Sequence, residues 1–249
     1  MHNHFTGPTI GRFTHVRGWI LAVLCGIPLW PGQSLPAEQE DPETSHTRQW
    51  DFDSIAPGTL PSSFVIGTLF DGRPAGEWKI LITDRAKSPS QVLAQLQPKG
   101  TDQAHKLLLM EGTDSGNIDV EVSYLAVAGK ADFGGGLVWH ATDDRNYYLL
   151  RASSVEQKVR LYRVVKGVQQ SVKTLDRPLP ANGWHKLRIV QRGCELKAIY
   201  DDAVLFRVCD QTFSNGRIGL WTKADAVTYF DDLVLRLLDA PLPSGHPPH

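Results

Sequence analysis

Residues Phe133 to Ala152 read FGGGLVWHATDDRNYYLLRA. The two apolar and aromatic halves of this stretch predict strands over Gly134 to Ala141 and Tyr147 to Ala152, separated by a short polar segment. Glycine inside a strand usually marks a bulge or a close approach of two backbones, which is how we interpret the three consecutive glycines. The stretch therefore predicts neighbouring antiparallel strands near the middle of the domain.

Strands of the same kind are predicted on both sides of this stretch, with turn signals such as Lys166-Gly167 and Asp201-Asp202 between them. They cover Gln49–Phe52, Trp78–Thr83, Gln91–Gln95, Lys106–Met110, Ile118–Val127, Lys158–Val165, Val168–Thr174, Gly183–Arg192, Glu195–Tyr200, Ala203–Val208, Arg217–Thr222 and Val227–Leu237. After Asn117, apolar residues alternate with Asp119, Glu121 and Ser123, which indicates one packed and one wet face. The number and rhythm of the strands predict a single β-sandwich.

The overall composition excludes one class of partner. The chain has 249 residues, with 26 Lys plus Arg against 27 Asp plus Glu, so its net charge is close to zero. No basic stripe is present, and nucleic acid is therefore not an expected partner. The 22 glycines and 16 prolines agree with a fold rich in turns.

The amino terminus predicts export to the periplasm or the outside of the cell. Arg12 and Arg17 precede an apolar run from Gly18 to Trp30, the pattern of a signal peptide over residues 1–37. The run is shorter than the roughly 20 residues that span a bilayer, so no membrane span is expected in the mature chain. An uncleaved anchor and a lipoprotein with Cys25 lipidated are the alternatives. We further predict a polar linker over 38–49, a sandwich domain over 50–238 and a disordered Pro-rich tail over 239–249.

Two cysteines remain after residue 37, and their spacing predicts a disulfide. If Asp201-Asp202 forms a two-residue hairpin turn, Cys194 and Cys209 lie directly opposite each other on neighbouring strands. Directly opposite residues of a hydrogen-bonded pair have Cα atoms about 5.5 Å apart, which is within disulfide reach. A pair of buried free thiols is the alternative. No Cys or His spacing typical of a zinc or redox site is present.

The stretch from Phe133 to Ala152 resembles the central hairpin of the concanavalin A-like lectin/glucanase superfamily. The segments Val159–Val165, Gly183–Arg188, Gly219–Asp225 and Phe230–Leu233 resemble exported bacterial members close to laminin-G-like and 3-keto-disaccharide hydrolase domains. The resemblance implies an all-β jelly roll of two curved antiparallel sheets, with glycan recognition as its commonest use. Because this fold hosts many activities, the resemblance is more specific for fold than for function.

The sequence favours binding over catalysis. Retaining glycosidases need two carboxyl groups about 5 to 5.5 Å apart, which hydrolases of this fold place on one strand as Glu-x-Asp-x-Glu. The nearest match here is Asn117-Ile118-Asp119-Val120-Glu121, in which an amide stands in the position of the nucleophile. We therefore assign no catalytic residue. The enzymatic alternative is a hydrolase or lyase of modified (3-keto) disaccharides, with His140 or His185 as a general base.

The predicted ligand is a carbohydrate or glycoconjugate. Sugars offer C–H faces to aromatic rings and hydroxyl groups to polar side chains, and both kinds of side chain occur around the central strands. Trp139 is either core or part of the face. A laminin-G-type adhesion module that binds protein is a further alternative, and the oligomeric state is left open. The predicted ligand-binding residues are Glu121, His140, Tyr147, Arg151 and Trp221.

No cofactor is required by this interpretation, but the resemblance implies one metal ion. Superfamily members often hold a structural calcium ion where the terminal strands meet. Asp51, Asp53, Asp231 and Asp232 bring carboxylate oxygens from both ends of the domain, and calcium prefers such ligands. Asp53 and Asp232 are the better candidates. Aspartates in turns are also common simply because they form turns.

Overall fold

Fifteen β-strands and no helix form the part of the chain that the computed structural model describes, residues 46–68, 75–101 and 104–238. The strands are β1 Thr47–Trp50, β2 Phe64–Thr68, β3 Trp78–Ile82, β4 Gln91–Gln95, β5 His105–Met110, β6 Ile118–Ala128, β7 Gly134–Asp143, β8 Asn146–Ser153, β9 Lys158–Val165, β10 Val168–Asp176, β11 His185–Arg192, β12 Glu195–Tyr200, β13 Ala203–Cys209, β14 Arg217–Lys223 and β15 Val227–Leu237. Each predicted strand is found. The strand β2 was missed.

The strands form two antiparallel sheets. The eight-stranded sheet has the order β13-β12-β11-β6-β15-β4-β3, with β1 also paired to β15. The seven-stranded sheet has the order β10-β9-β8-β7-β14-β5-β2. Strands that are distant in sequence, such as β7 and β14, are neighbours in space. This architecture confirms the predicted jelly-roll sandwich.

The core lies between the two sheets. From β6, Val120 and Val122 point inward and are fully buried, whereas Asp119 and Glu121 point outward, which confirms the predicted alternation. The alternatives for Trp139 are resolved in favour of the core, where its indole N–H donates to Gln191 Oε1 at 2.7 Å. Burial of each such large side chain contributes about 1.5 to 3 kcal/mol.

The glycines at the start of β7 allow close packing, as predicted. A Cβ atom added at Gly134 would lie 2.0 Å from the carbonyl oxygen of Ala152 on β8. No L side chain fits that distance without moving the backbone. The first glycine of the run is therefore required by the approach of the two strands.

The disulfide between Cys194 and Cys209 is present, with Cα atoms 4.6 Å apart, so the predicted pairing is confirmed. The predicted register is wrong, because Cys209 lies opposite Glu195. The cause is a bulge in β13, where the partners change from Ala198 with Phe206 to Ile199 with Val204 and leave Leu205 unpaired. One extra residue shifts the register without preventing the bond.

Several predictions fall wholly or partly outside the described residues. These are the signal peptide over 1–37, the lipidation of Cys25 and the tail over 239–249. The linker predicted over 38–49 ends earlier than expected, since β1 begins at Thr47 and pairs with β15. Within residues 46–68, 75–101 and 104–238, no helix is long and apolar enough to cross a membrane.

Candidate functional site

The outer surface of the seven-stranded sheet carries a second group of buried apolar and aromatic side chains, separate from the core. All described strands belong to the two sheets, so no described strand forms a third layer over this surface. We call this group the aromatic face. Its members are Leu107, Leu109, Val138, Ala141, Tyr147, Leu149, Tyr162, Val164 and Trp221.

Trp221 and Arg151 meet on this face because glycine separates them. Gly136 on β7 lies directly opposite Trp221 on β14 and directly opposite Arg151 on β8. A Cβ atom added at Gly136 would lie 2.7 Å from Leu149 Cδ1 and 3.1 Å from Trp221 Cε3. The Arg151 guanidinium carbon lies 5.6 Å from the centroid of the Trp221 ring, in cation–π geometry.

Acidic residues hold the Arg151 guanidinium in place. Its Nη2 donates to Asp132 Oδ1 at 2.7 Å and to Glu156 Oε1 at 2.8 Å. Arg160 Nη1 lies 2.5 Å from the other oxygen of Glu156. Burial opposes the charge on Arg151, but Asp132 and Glu156 outweigh burial and raise the pKa of Arg151. Burial likewise opposes the charge on Glu156, and the two guanidinium groups lower the pKa of Glu156 below its ordinary value.

Three polar atoms of this cluster are buried without a hydrogen-bond partner in the described part of the chain: Tyr147 Oη, Trp221 Nε1 and Arg151 Nε. Burial, followed by the charge of Asp144, raises the pKa of Tyr147 well above its ordinary value. The Trp221 indole opposes this rise, yet the indole and the hydroxyl do not reach hydrogen-bonding geometry. A buried unsatisfied polar atom costs about 1 to 3 kcal/mol.

The structure brings together Tyr147, Arg151 and Trp221 of the predicted ligand-binding set, but not His140. A bulge between Trp139 and Asp143 disturbs the strand at His140, which has a φ of 49°. The ring nitrogens lie 3.1 Å from the carbonyl oxygen of Phe213 and 2.7 Å from that of Gly116. Burial lowers the pKa of His140, and the two carbonyl contacts offset only part of this effect. His140 therefore ties two loops together.

Glu121 also lies elsewhere, on the outer surface of the eight-stranded sheet. Arg236 Nη2 donates to Glu121 Oε1 at 3.1 Å, and the Arg188 guanidinium donates to both oxygens of Asp119 at 2.7 and 2.5 Å. We call these four residues the charged face. Asn117, in the nucleophile position of the glycosidase-like motif, accepts a hydrogen bond from the amide of Gly193 at 2.8 Å. In this chain, the motif residues make structural contacts.

His185, the other general-base candidate, lies on β11 of the eight-stranded sheet. Its Nδ1 is 2.8 Å from Asp201 Oδ2, and its ring stacks on Tyr200 with centroids 5.5 Å apart. A hydrogen bond at Nδ1 orients an imidazole, as in catalytic dyads. His185 belongs to a different sheet from Arg151 and Trp221, so it adds no general base to the aromatic face.

The two aspartates preferred for calcium, Asp53 and Asp232, have other partners in the structure. Asp53 Oδ1 accepts the backbone amides of Ser90 and Gln91 at 2.7 and 2.9 Å. Asp232 Oδ2 lies 3.7 Å from Lys87 Nζ. One oxygen of Asp53 is thus occupied by amide donors and one oxygen of Asp232 lies near a cation, and the calcium site stays a prediction. Among the described residues, no group of three or more His, Cys, Asp and Glu side chains is arranged to hold a metal ion.

No protein-family model matches this chain, and no curated protein gives a significant sequence match. Solved structures do match. The carbohydrate-binding module CBM66 from Bacillus subtilis aligns with a TM-score of 0.55 at 19% identity, over 69% of this chain and 94% of that one. A Bacillus licheniformis β-glucanase aligns with a TM-score of 0.51 at 12% identity, over 79% of this chain and 100% of that one.

A Bacillus subtilis protein described as having a galectin-like fold and unknown function aligns with a TM-score of 0.51 at 13% identity, over 72% of this chain and 91% of that one. The chain has the concanavalin A-like lectin/glucanase fold. At these identities the likeness establishes the fold alone. The narrower resemblance of this concanavalin A-like chain to laminin-G-like and 3-keto-disaccharide hydrolase domains stays a prediction.

The sequence reasoning missed Gly136, Asp132 and Glu156, which shape the site around Arg151. Gly136 had a visible signal, because it belongs to the glycine run of the central stretch. Its position between Trp221 and Arg151 depends on the pairing of β7 with β14, which are far apart in sequence. Asp132 and Glu156 lie just before β7 and just after β8, where charged loop residues are too common to stand out.

Proposed function

We propose that the chain is a non-catalytic carbohydrate-binding module and that the aromatic face holds the sugar. The observation that carries this proposal is the presence of unpartnered polar atoms of Tyr147, Arg151 and Trp221 beside an indole ring. A sugar places C–H groups on an aromatic ring and hydroxyl groups against donors and acceptors. Trp221 Nε1 and Arg151 Nε are donors, and Tyr147 Oη both donates and accepts.

Arg151 sets the geometry of entry in this proposal. The guanidinium lies over the indole, and Trp221 is fully buried, so a sugar ring reaches the indole only when the surrounding side chains shift. Asp132 and Glu156 keep the guanidinium beside the indole as a fixed hydroxyl donor. Preorganised groups of this kind lower the entropy cost of binding.

The carboxyl groups beside Arg151 support binding over hydrolysis. A glycosidase needs a general acid whose pKa is raised. Glu156 has a lowered pKa and is paired with Arg151 and Arg160, and Asp132 accepts hydrogen bonds from Arg151 and Ser153. Both carboxylates serve to position the guanidinium. The carbohydrate-binding module among the solved structures has the same fold, which agrees with this proposal.

Export is part of the proposal. Disulfides persist in oxidising compartments, and the bond between Cys194 and Cys209 agrees with such a location. The predicted signal peptide over residues 1–37 points the same way. We propose a periplasmic or extracellular location, which fractionation of cells that produce the full chain, followed by amino-terminal sequencing of the exported form, would test.

The test of binding is a glycan array probed with the exported protein, followed by titration of any ligand and analysis of its integrity. We expect saturable binding with the ligand intact. Tyr147→Phe removes only the unpartnered hydroxyl, so it should weaken binding by about tenfold without loss of stability. Tyr148→Phe is the matched control, because its hydroxyl faces the core and bonds Asp210.

Three outcomes would contradict the proposal. Cleavage of the bound ligand would favour the hydrolase or lyase. Undiminished binding by Tyr147→Phe would remove the aromatic face as the site. A lack of binding to every glycan would favour the adhesion module that binds protein.

A further inference from the structure

A groove of about 440 Å³ opens at one end of the eight-stranded sheet, on the strands next to the disulfide. Three cationic side chains and one carboxylate line it, together with apolar atoms. We call it the basic groove. The side chains that matter here are Val190, Arg192, Glu195, Lys197, Arg207 and Cys209.

Two cations at the centre of the basic groove lie next to each other, although like charges repel. Lys197 on β12 lies directly opposite Arg207 on β13. Like charges at directly opposite positions destabilise a sheet. Neither side chain forms a salt bridge with any residue in the described ranges, whereas Arg188 on the same surface is paired with Asp119. The sheet thus holds two cations side by side, and no carboxylate of the described residues forms an ion pair with either of them.

The surroundings of this pair suit a ligand. Val190 lies directly opposite Lys197 on the other side and provides an apolar neighbour. The disulfide joins the two strands at the end of the groove, which restricts their movement. Glu195 adds an acceptor for hydroxyl groups at the rim. The volume falls within the usual range of small-molecule sites.

We propose that the basic groove binds the carboxylate or sulfate groups of an acidic polysaccharide. Charge-assisted hydrogen bonds from Lys197 and Arg207 would hold the anion, and Val190 would contact the sugar ring. The groove uses residues of the sheet that does not carry the aromatic face. The inference therefore goes beyond the proposed function and uses none of its residues.

The experiment measures binding of the exported protein to polygalacturonate, dextran sulfate and neutral dextran by isothermal titration calorimetry at low salt. The test variant is Lys197→Gln with Arg207→Gln. The control variant is Lys166→Gln with Lys173→Gln, which removes the same charge from exposed positions at the edge of the other sheet. Thermal unfolding of both variants checks the fold.

We expect the unaltered protein to bind at least one of the two anionic polymers through this groove. We expect no binding of neutral dextran to the groove. The groove variant should bind about tenfold more weakly or not at all, and the control variant should bind normally. Binding to polygalacturonate alone would identify the carboxylate as the ligand group, and binding to dextran sulfate alone would identify the sulfate. Because relief of like-charge repulsion accompanies the substitution, the groove variant should unfold no more easily than the unaltered protein.

Equal loss in the groove and control variants would overturn the inference, since it would show attraction by net charge alone. Failure of the unaltered protein to bind either anionic polymer would overturn it too. Tyr147→Phe separates this inference from the proposed function, because that variant should keep full binding to the anionic polymer. Loss of anionic binding in Tyr147→Phe, with full binding in the groove variant, would move the site to the aromatic face.

Discussion

The two outer surfaces of this sandwich are built from similar strands and differ in how their polar groups are satisfied. On the charged face, Arg188 and Arg236 pair with Asp119 and Glu121 and remain partly in water, and one atom, Arg236 Nη1, is buried without a hydrogen-bond partner among the described residues. On the aromatic face, Tyr147 Oη, Trp221 Nε1 and Arg151 Nε are buried and have no hydrogen-bond partner in the described part of the chain. A satisfied surface gains little from a ligand, whereas unsatisfied groups gain the hydrogen bonds that folding did not provide. This difference supports our proposal that the seven-stranded sheet carries the ligand-binding surface.

Removal of one arginine from each surface should give the largest contrast. Arg151→Ala leaves Asp132 as a buried charge without its cation, so we expect a loss of about 3 to 5 kcal/mol in the free energy of unfolding. Arg188→Ala acts on a pair that is partly in water, and Arg236 stays 3.8 Å from Asp119, so we expect a loss of about 1 kcal/mol or less. Urea unfolding at pH 7 measures both. Similar losses would show that the surfaces do not differ as described.

The disulfide between Cys194 and Cys209 ties the two last strands at one end of the eight-stranded sheet together. Replacement of Cys194 and Cys209 by serine should lower the free energy of unfolding by about 3 kcal/mol, because the unfolded chain gains entropy. Urea unfolding of the variant, compared with the oxidised and the reduced unaltered protein, measures this loss. The reduced protein serves as the control and should match the variant. An unchanged midpoint in the variant would show that hydrogen bonds alone hold β13.

The neighbouring residues Tyr147 and Tyr148 on β8 differ in whether the hydroxyl group has a hydrogen-bond partner. Tyr148 Oη donates to Asp210 at 2.5 Å and accepts the amide of Phe213 at 3.2 Å, so Tyr148→Phe should cost about 1 to 3 kcal/mol. Tyr147→Phe removes an unpartnered hydroxyl and should cost nothing or stabilise the fold. Thermal and urea unfolding of the two variants give the comparison. A larger loss for Tyr147→Phe would mean that its hydroxyl has a structural partner.

The same pair shows how far the sequence could predict the site. Alternation requires that Tyr147 and Tyr148 face opposite surfaces, and this is what the structure has. Both are aromatic, so the pattern could not tell which one is core. His140 could not be placed either, because a bulge after Trp139 breaks the alternation on which the prediction rested.

The sequence also could not predict which strands belong to which sheet. Alternation correctly placed Glu121 on an outward surface, but which sheet carries β6 is decided by its pairing with β11 and β15, and those strands are distant in sequence. The disulfide shows the opposite case. Cys194 and Cys209 are close in sequence and were predicted correctly, although the bulge at Leu205 changed the register. Local rules therefore predicted the strands and the hairpin, and long-range pairing decided the site.

Two carboxyl groups should make small contributions of opposite sign to the pH dependence of the free energy of unfolding. They are Glu156, beside the aromatic face, and Asp231, in the eight-stranded sheet. Glu156, beside the aromatic face, has a lowered pKa because the two guanidinium groups outweigh burial. At pH values between the pKa of Glu156 in the folded chain and its ordinary pKa, the unfolded chain binds more protons than the folded chain. The stability that Glu156 contributes is therefore lost as the pH falls. Asp231, in the eight-stranded sheet, has a pKa raised mainly by burial, against the opposing amide of Ser88. At pH values between the ordinary pKa of Asp231 and its pKa in the folded chain, the folded chain binds more protons. The stability that Asp231 contributes is therefore lost as the pH rises.

Substitution of each carboxyl group should therefore change the pH dependence of stability in opposite directions. Between about pH 3 and about pH 6, Glu156→Gln should make the rise of the free energy of unfolding with pH shallower. Asp231→Asn should make that rise steeper, because it removes a contribution that declines as the pH rises. Urea unfolding at several pH values gives the slopes, which do not depend on any constant loss caused by the substitution itself. Slopes that shift in the same direction would mean that Arg151 and Arg160 do not hold Glu156 in its charged form, and the contrast between the two surfaces would then rest on hydrogen bonds alone.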